Sequence, residues 1–207
     1  MTSLLLSILF AVEQAPAVSA QVPTLVASVE TRDIHQLFKE YASDQGWSGA
    51  ESKLACKVLA GPLTLCLKAE EQGKRRYVTQ ADLQLWRLDQ DQAQAKAGEI
   101  LSVSPWVPVE IEGGGRYFQA KTSPGHEATV FLHPEWLLEL GPTPRIAAPS
   151  KGVVVAWPGG DKELDQIMAV GVRKMSDELP ESLSPMAMTW NGQAWVAWGQ
   201  AKAKATK

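Results

Sequence analysis

The sequence has neither an excess of one charge nor an apolar run long enough to span a bilayer. Its 207 residues include 20 basic and 23 acidic side chains, which gives a formal net charge of −3. This balance provides no electrostatic reason to bind nucleic acid or an anionic membrane, so we predict neither interaction. The apolar run at 4–12 is shorter than a transmembrane helix, and we expect no integral membrane span in the mature chain.

Recognisable catalytic motifs are also missing. No serine has the Gly-x-Ser-x-Gly setting of a hydrolase nucleophile. Gly159 and Gly160 precede a predicted helix, but the acidic residues at 161, 163 and 165 would repel a phosphate and favour a helix cap. The basic run 74–76, at the start of a predicted strand 74–78, is interpreted as a solvated turn, with an anion site as the alternative. We therefore predict no cofactor.

Histidine is scarce, with three residues, and two of them lie in a cluster of histidine and acidic residues. Glu127 follows His126, and His133 lies two residues before Glu135. A strand is predicted at 128–132, which would place the two histidines on opposite faces and makes a shared metal ion unfavourable. We predict surface histidines and no metal site. His126, Glu127 and His133 remain the candidate catalytic residues of a hydrolase-like enzyme.

Cysteine is limited to two residues, Cys56 and Cys66. The segments 54–59 and 63–68 have the pattern of two strands joined by the three-residue loop 60–62. This loop length places the two cysteines directly opposite each other, within the distance that a disulfide needs. We predict the disulfide for an exported chain and two buried thiols for a chain that stays in the cytosol.

The N-terminus has the pattern of a signal peptide. Small residues at 15–20 follow its apolar run, and we predict cleavage after Ala20, with an apolar N-terminal helix as the alternative. The predicted organisation is a signal peptide at 1–20, one α+β domain at 21–200 and a disordered basic tail at 201–207. A division of the domain into two subdomains near 100–125 is the alternative. The exported chain would be periplasmic or secreted, and a cytoplasmic chain is the alternative.

The strongest local structural signal lies at 151–198. A continuous apolar run at 153–157 predicts a strand buried on both faces, and the segment 161–179 has the periodicity of an amphipathic helix. Gly171 lies in the apolar face of this helix and indicates a close approach to the sheet. Asn191 and Gly192 predict a two-residue hairpin turn. It pairs Met188 with Trp195, and the hairpin face expected to cover the helix contains Met186, Met188, Trp190 and Trp195.

Further elements follow from capping and turn signals. Asp33 begins a predicted helix whose apolar residues fall on one face, namely Ile34, Leu37, Phe38 and Tyr41. Thr79 and Asp82 form a capping box for a helix that continues to Ala97. Hairpin strands are predicted at 106–112 and 116–121, with Pro108 on an edge, followed by a helix at 134–140 and a strand at 145–148. The pattern predicts an α+β fold of mostly antiparallel sheet with helices packed on it, ending in strand, helix and hairpin.

Several of these segments, in the same order, resemble the YtpQ-like family of bacterial domains, whose function is unknown. The similar segments are the helix entry at 77–86, the helix at 134–141, the strands at 145–150 and 152–157, and the closing hairpin with its preceding segment at 183–195. The resemblance covers residues 33–198. The family has no established activity, so the resemblance assigns no catalytic residue to this chain. It implies an intracellular protein, whereas the N-terminus and the cysteines indicate export.

Tryptophan is abundant, with eight residues. These residues are interpreted mainly as core, and an exposed aromatic binding surface is the alternative. The candidate binding residues are Trp157, Trp198, His126 and His133. The first hypothesis is an exported, non-enzymatic α+β domain that binds a protein or peptide partner or associates with the envelope. The hydrolase-like enzyme is the second hypothesis, and a structural or chaperone-like envelope factor is the third.

Overall fold

Two antiparallel sheets with helices packed on them form the fold, which confirms the predicted α+β class. The computed structural model describes residues 21–112, 114–141 and 143–198. The predicted signal peptide and basic tail lie outside these residues. The first sheet is built from residues between 24 and 77 and the second from residues between 106 and 197.

Helices and strands alternate irregularly along the chain. In chain order the elements are β1 (Thr24–Thr31), α1 (Ile34–Asp44), β2 (Cys56–Val58), β3 (Leu63–Glu71), β4 (Lys74–Tyr77), α2 (Gln80–Trp86), α3 (Gln90–Gly98), β5 (Trp106–Glu110), β6 (Arg116–Ala120), a 3-10 helix (Glu127–Leu132), α4 (Pro134–Leu138), β7 (Arg145–Ser150), β8 (Val153–Trp157), α5 (Lys162–Glu178), β9 (Ala187–Trp190) and β10 (Trp195–Ala197).

The first sheet places β3 between β1 on one side and both β2 and β4 on the other. Because side chains alternate along a strand, Leu25, Ala27 and Val29 of β1 share the face that packs into the core. The intervening residues Ser28 and Glu30 lie on the opposite face. That opposite face carries the polar side chains discussed below.

The predicted cysteine hairpin is confirmed. Cys56 on β2 pairs directly with Cys66 on β3, their Cα atoms are 4.0 Å apart, and the two residues form a disulfide. Cys66 is completely buried, whereas Cys56 on the short strand β2 is half-buried. The bond therefore fastens a three-residue strand to the longest strand of this sheet.

Removal of this disulfide should destabilise the fold. The bond closes a short loop, and loop-closure entropy in the unfolded chain gives a contribution of about 2–3 kcal/mol. Urea unfolding of the double variant Cys56→Ser/Cys66→Ser, compared with the oxidised wild type, measures the loss. The reduced wild type is the matched control and should behave like the variant. An unchanged midpoint on reduction would contradict the expected contribution.

The second sheet has the strand order β10-β9-β7-β8-β6-β5. The predicted doubly buried strand is β8, in which Val154, Val155 and Trp157 are almost inaccessible to solvent. Pro108 lies on the edge strand β5, as expected for a residue without an amide donor. On one face α5 covers the sheet through the cluster Leu164, Met168, Val172, Val155 and Trp157. The Asp161 carboxylate caps α5 by accepting hydrogen bonds from the amides of residues 163 and 164.

The two sheets share one hydrophobic cluster. Val29, Leu63 and Leu65 of the first sheet pack in the same cluster as Ile146 and Met188 of the second. Trp195 belongs to it as well, and its indole Nε1 donates a hydrogen bond to the carbonyl oxygen of residue 131 at 3.1 Å.

The predicted register of the closing hairpin is wrong. Asn191 accepts hydrogen bonds on its side-chain Oδ1 from the amides of residues 193 and 194, so four residues form the loop instead of two. Trp195 consequently pairs with Trp190, and Ala197 pairs with Met188. The Met188 face packs into the cluster between the sheets, whereas Ala187 faces α5. The prediction that the Met188 face covers the helix is therefore also wrong.

Three further predictions, one for a strand and two for helices, need correction. The segment predicted as a strand at 128–132 is the 3-10 helix Glu127–Leu132, because a short apolar run does not by itself distinguish a strand from a buried helical turn. The helix that begins at Thr79 ends at Trp86, where Arg87 adopts a left-handed conformation, and Asp89 opens α3 with a second capping box. Gly171 has no neighbour near its missing Cβ, so it does not mark a close approach of α5 to the sheet.

Helix α1 begins after Asp33 as predicted, but its apolar face is not part of the core. Ala42 is its one buried residue. The Asp33 side chain contacts Thr31 and makes no capping hydrogen bond to the helix. The apolar side chains of α1 are left to form a surface with the residues that follow the helix.

Candidate functional site

An aromatic groove lies between α1, the loop that follows it, the end of β4 and the start of α2. Its cavity volume is about 590 Å³, within the range of binding pockets. We define the aromatic groove by its lining residues, Phe38, Tyr41, Trp47, Glu51, Arg76, Tyr77, Thr79, Ala81, Asp82 and Leu85. The groove is therefore assembled from four segments of the first half of the chain.

Large apolar side chains are exposed along this groove. Trp47 is 41% exposed, Tyr41 52% and Leu85 61%. Neighbouring Leu37 on α1 is also exposed. Exposed apolar side chains that adjoin one groove make it a candidate interaction surface.

The aromatic rings in the groove contact one another at tilted or edge-to-face angles. The ring centres of Tyr41 and Trp47 are 5.7 Å apart with an angle of 87° between the planes. Phe38 lies 6.5 Å from both Trp47 and Tyr77. These tilted contacts hold the rings in place, so the groove presents a surface that is largely preformed.

An ion pair fixes the polar rim of the groove. Arg76 donates two hydrogen bonds to Asp82, at 2.8 and 2.9 Å. Burial raises the pKa of Asp82, but the bonds from Arg76 and Thr79 outweigh it and leave this pKa below its ordinary value. The Asp82 carboxylate also completes the capping box of α2. Arg76 is therefore committed to Asp82, whereas Glu51 forms no ion pair among the described residues.

Tyr77 connects the aromatic groove to a buried carboxylate. Its ring lies beside Phe38, and its hydroxyl donates a hydrogen bond of 2.7 Å to Glu30. Burial, followed by the hydrogen bond to Glu30, raises the pKa of Tyr77 above its ordinary value. Tyr77 therefore remains a neutral donor at physiological pH.

Glu30 is 3% exposed and lies at the centre of a charged cluster. It accepts hydrogen bonds from Ser28 at 2.8 Å and Tyr77 at 2.7 Å, and it forms ion pairs of 3.0 Å with Lys68 and Lys151. Lys151 follows β7, so the cluster joins the second sheet to the first. Burial by itself raises the pKa of Glu30, but the hydrogen bonds and the Lys68 charge outweigh it and lower this pKa.

The two candidate histidines contact different elements. His126 Nε2 lies 3.0 Å from Arg75 on β4, and burial, with the Arg75 charge, lowers the pKa of His126. His133 stacks on Trp136 at 3.9 Å, and its ring nitrogens contact Glu135 and the carbonyl oxygen of residue 98. Neither histidine is within hydrogen-bond distance of a serine, threonine or cysteine side chain among the described residues. No observed contact favours the hydrolase-like alternative.

The candidate tryptophans also lie apart from the groove. Trp157 is fully buried and donates a hydrogen bond of 2.8 Å to Asp165. Trp198 is half-buried, with the Arg145 guanidinium 5.2 Å above its ring. Trp157 is therefore a core residue, whereas the exposed tryptophan of the groove is Trp47. The sequence signal for Trp47 was its position just after a predicted helix with an apolar face.

Comparisons with known proteins give no family for this chain. No protein-family model matches it, and neither a curated protein nor a solved structure matches it significantly. The resemblance to the YtpQ-like family therefore stays a prediction. Within the described ranges, no three histidine, cysteine or acidic side chains are grouped as ligands for a metal ion. Among those same residues, no helix combines the length and apolarity of a membrane span.

Proposed function

We propose that this chain is a non-enzymatic binding module and that its aromatic groove holds a peptide segment of a protein partner. The exposed side chains of Tyr41, Trp47 and Leu85 around one preformed groove carry the proposal. Exposed aromatic residues are enriched where proteins bind each other, because their large rigid side chains lose little conformational entropy on binding. Outside such a role, this apolar surface would be unfavourable in water.

The position of the groove favours an extended peptide. Arg76 and Tyr77 are neighbours on β4 and point to opposite faces of the sheet, yet both line the groove. The groove therefore runs past the edge of β4, which pairs with β3 alone among the described strands. An extended peptide placed there can add main-chain hydrogen bonds to the free edge while its side chains enter the groove.

Charge complementarity favours a basic residue beside the apolar anchor of the peptide. Arg76 is neutralised by Asp82, and among the described residues the Glu51 carboxylate of the groove has no ion-pair partner. A lysine or arginine of the peptide would pair with Glu51 and could lie over the exposed ring of Trp47 or Tyr41. The proposed ligand is therefore an extended peptide with an apolar or aromatic anchor and a neighbouring basic side chain.

Export to an oxidising compartment is part of the proposal. The Cys56–Cys66 disulfide is of a kind that persists in secreted and periplasmic proteins and is rare in the cytosol. The signal-like segment at 1–20 supports the same location. A periplasmic or secreted binding module is consistent with both features.

Truncation of the aromatic side chains of the groove should weaken peptide binding. A random peptide library is panned against the wild type, and selected peptides are measured by calorimetry. We expect Trp47→Ala and Tyr41→Ala each to weaken binding by about 10- to 100-fold, the range typical of aromatic hot spots. Glu51→Gln should weaken binding selectively for peptides that contain a basic residue.

Val103→Ala is the matched control for this experiment. Val103 is exposed and lies outside the groove, so its truncation should leave affinity unchanged. Circular dichroism checks that each variant is folded. If panning selects no peptide, or if selected peptides bind Trp47→Ala as well as the wild type, the proposed function is wrong.

A further inference from the structure

A second cavity lies on the other side of Tyr77, above the polar face of the first sheet. We call it the cationic cleft, and its volume is about 340 Å³. It is lined by Val26, Ala27, Ser28, Lys68, Arg75, Tyr77, Gly125, Ala128, Lys151, Gly152 and Glu181. Strands of the first sheet supply one side, and the segments around 125–128, 151–152 and 181 supply the others. The two lysines that hold Glu30 thus face a cavity.

The lysines of the cleft have unused hydrogen-bond donors. Each ammonium group has three N–H donors. Lys68 and Lys151 each form an ion pair with Glu30 at an N···O distance of 3.0 Å, which occupies at most one of the three donors of each lysine. Glu181 lies 3.8 Å from Lys151, beyond a good hydrogen bond, and it is exposed to solvent that screens its charge. Several donors therefore remain available to a group in the cleft.

The charges of the cluster do not balance. Lys68 and Lys151 share the single carboxylate of Glu30, so one positive charge of the pair is not neutralised within the protein interior. Arg75 does not change this balance, because Glu70 pairs with it at 2.7 Å. Glu181 also lines the cleft, 3.8 Å from Lys151, but it offsets this charge only from an exposed position where solvent screens it. The inner part of the cleft therefore has a local excess of about one positive charge, partly shielded from water.

Arg75 forms the wall of the cleft instead of binding a ligand. Its guanidinium donates to Glu70 and to the carbonyl oxygens of residues 124 and 125, and it contacts His126. These contacts occupy four of the five donors of Arg75 and hold the segment around 125 against β4. A ligand would consequently be recognised by Lys68 and Lys151, while Val26 and Ala128 line the apolar part of the cleft.

We propose that the cationic cleft binds a single carboxylate group, held between the ammonium groups of Lys68 and Lys151. A carboxylate matches the excess of one charge, whereas a phosphate carries up to two charges. The carboxylate belongs to a small organic acid or to the C-terminus of a bound peptide. The second source would link the cleft to the aromatic groove, because Tyr77 lines both cavities. The proposal does not depend on peptide binding in the groove.

The test compares two small molecules that differ in one charge. N-acetylglycine has a free carboxylate, and N-acetylglycinamide has a neutral amide in its place. Binding to the full-length protein is followed through the NMR amide signals of Gly125 and Gly152, which line the cleft. We expect saturable shifts with N-acetylglycine and none with N-acetylglycinamide. Equal shifts with both molecules would overturn the proposal.

Variants identify the groups that hold the carboxylate. Lys151→Met should weaken the binding of N-acetylglycine by about 10-fold, the loss expected for one charged hydrogen bond. Lys174→Met, which alters an exposed lysine of α5, should have no effect. Glu181→Gln removes an exposed carboxylate that competes for Lys151, so it should strengthen the binding of N-acetylglycine. This variant also tests the proposal if Lys151→Met fails to fold. Unchanged affinity in both Lys151→Met and Glu181→Gln would overturn the proposal.

Two further measurements determine where the bound carboxylate comes from and whether the cleft prefers a carboxylate to a phosphate. N-acetyl-Leu-Gly with a free C-terminus should bind more tightly than N-acetylglycine if the carboxylate comes from a peptide, and Trp47→Ala should cancel this gain. Equal affinity of the two acids indicates a small-molecule ligand, and both outcomes support a carboxylate site. Tighter binding of inorganic phosphate than of N-acetylglycine would overturn the assignment of a carboxylate.

Discussion

Replacement of Glu30 by glutamine should lower the free energy of unfolding by about 3 kcal/mol, because removing one partner of a buried ion pair leaves an uncompensated charge. Glutamine keeps the size of the side chain and can accept the hydrogen bonds from Ser28 and Tyr77. It does not neutralise Lys68 and Lys151, which would then repel each other in a partly buried setting. Both lysines retain some solvent contact, so we place the cost at the lower end of the range for buried pairs.

The measurement is urea unfolding of Glu30→Gln at neutral pH, with Glu178→Gln as the control. Glu178 is an exposed residue of α5 that lies 4.0 Å from Lys174. An exposed pair of this kind contributes at most about 0.5 kcal/mol, so the control should unfold like the wild type. If Glu30→Gln also unfolds at the wild-type midpoint, the charged cluster around Glu30 does not hold the two sheets together.

The pH dependence of this difference follows from the pKa of Glu30. Its pKa is lowered in the folded protein, from the ordinary value of 4.5. A carboxyl group with a lowered folded pKa stabilises the fold above its unfolded pKa, and the contribution is lost as the pH falls through the folded pKa. The wild type should therefore exceed Glu30→Gln in stability at neutral pH. The difference should shrink as the pH falls below the unfolded value and vanish once Glu30 is protonated in the folded state as well.

Elements that depend on local chemistry could be predicted from the sequence. The cysteine hairpin followed from the length of one loop, and the helix starts at Thr79 and Asp161 followed from side chains that accept backbone amide hydrogens. The edge position of Pro108 followed from its missing amide donor. In each of these cases the residues that determine the structure are close together in the sequence.

Features that depend on which of several possible groups a residue contacts could not be predicted from the sequence. Asn191 was expected to occupy a turn position, but its side chain accepts two loop amides and enlarges the loop, which shifts every pair of the hairpin. The apolar face of α1 has the same periodicity as a core-facing helix. No sequence pattern distinguishes a face that packs inside from one that lines an open groove, and the aromatic groove was missed for this reason.

The charged cluster around Glu30 also has no sequence signature. Its charged members, Glu30, Lys68 and Lys151, come from strands or turns that are far apart in the chain, and no fixed spacing relates them. The candidate histidines drew attention because they lie near acidic residues in sequence. In the structure, His126 instead supports the position of Arg75 beside the cationic cleft, where it contacts an arginine 51 residues away.

Close packing of two backbone segments, and neither a nucleotide-binding loop nor a helix cap, explains the glycine at position 159. A Cβ atom at this position would lie directly against the backbone carbonyl oxygen of Thr143 and within 2.9 Å of the Arg145 guanidinium. The same guanidinium donates a hydrogen bond of 2.6 Å to the Thr143 carbonyl. The backbone after β8 and the segment before β7 therefore pack against each other at van der Waals distance, which requires a residue without a side chain.

Gly159→Ala should consequently destabilise the protein by about 3 kcal/mol or more, because overpacking against backbone is relieved only by moving one of the two segments. Gly152→Ala is the matched control: a Cβ there meets no atom within 4 Å, and its backbone conformation does not require glycine. That substitution should be neutral or stabilising by up to about 1 kcal/mol, since alanine reduces the entropy of the unfolded chain. Urea unfolding at equal m-value compares the two variants. Similar urea midpoints for the two variants would show that the two segments separate at little cost. The close packing of β7 and β8 at Gly159 would then not determine the stability of the second sheet.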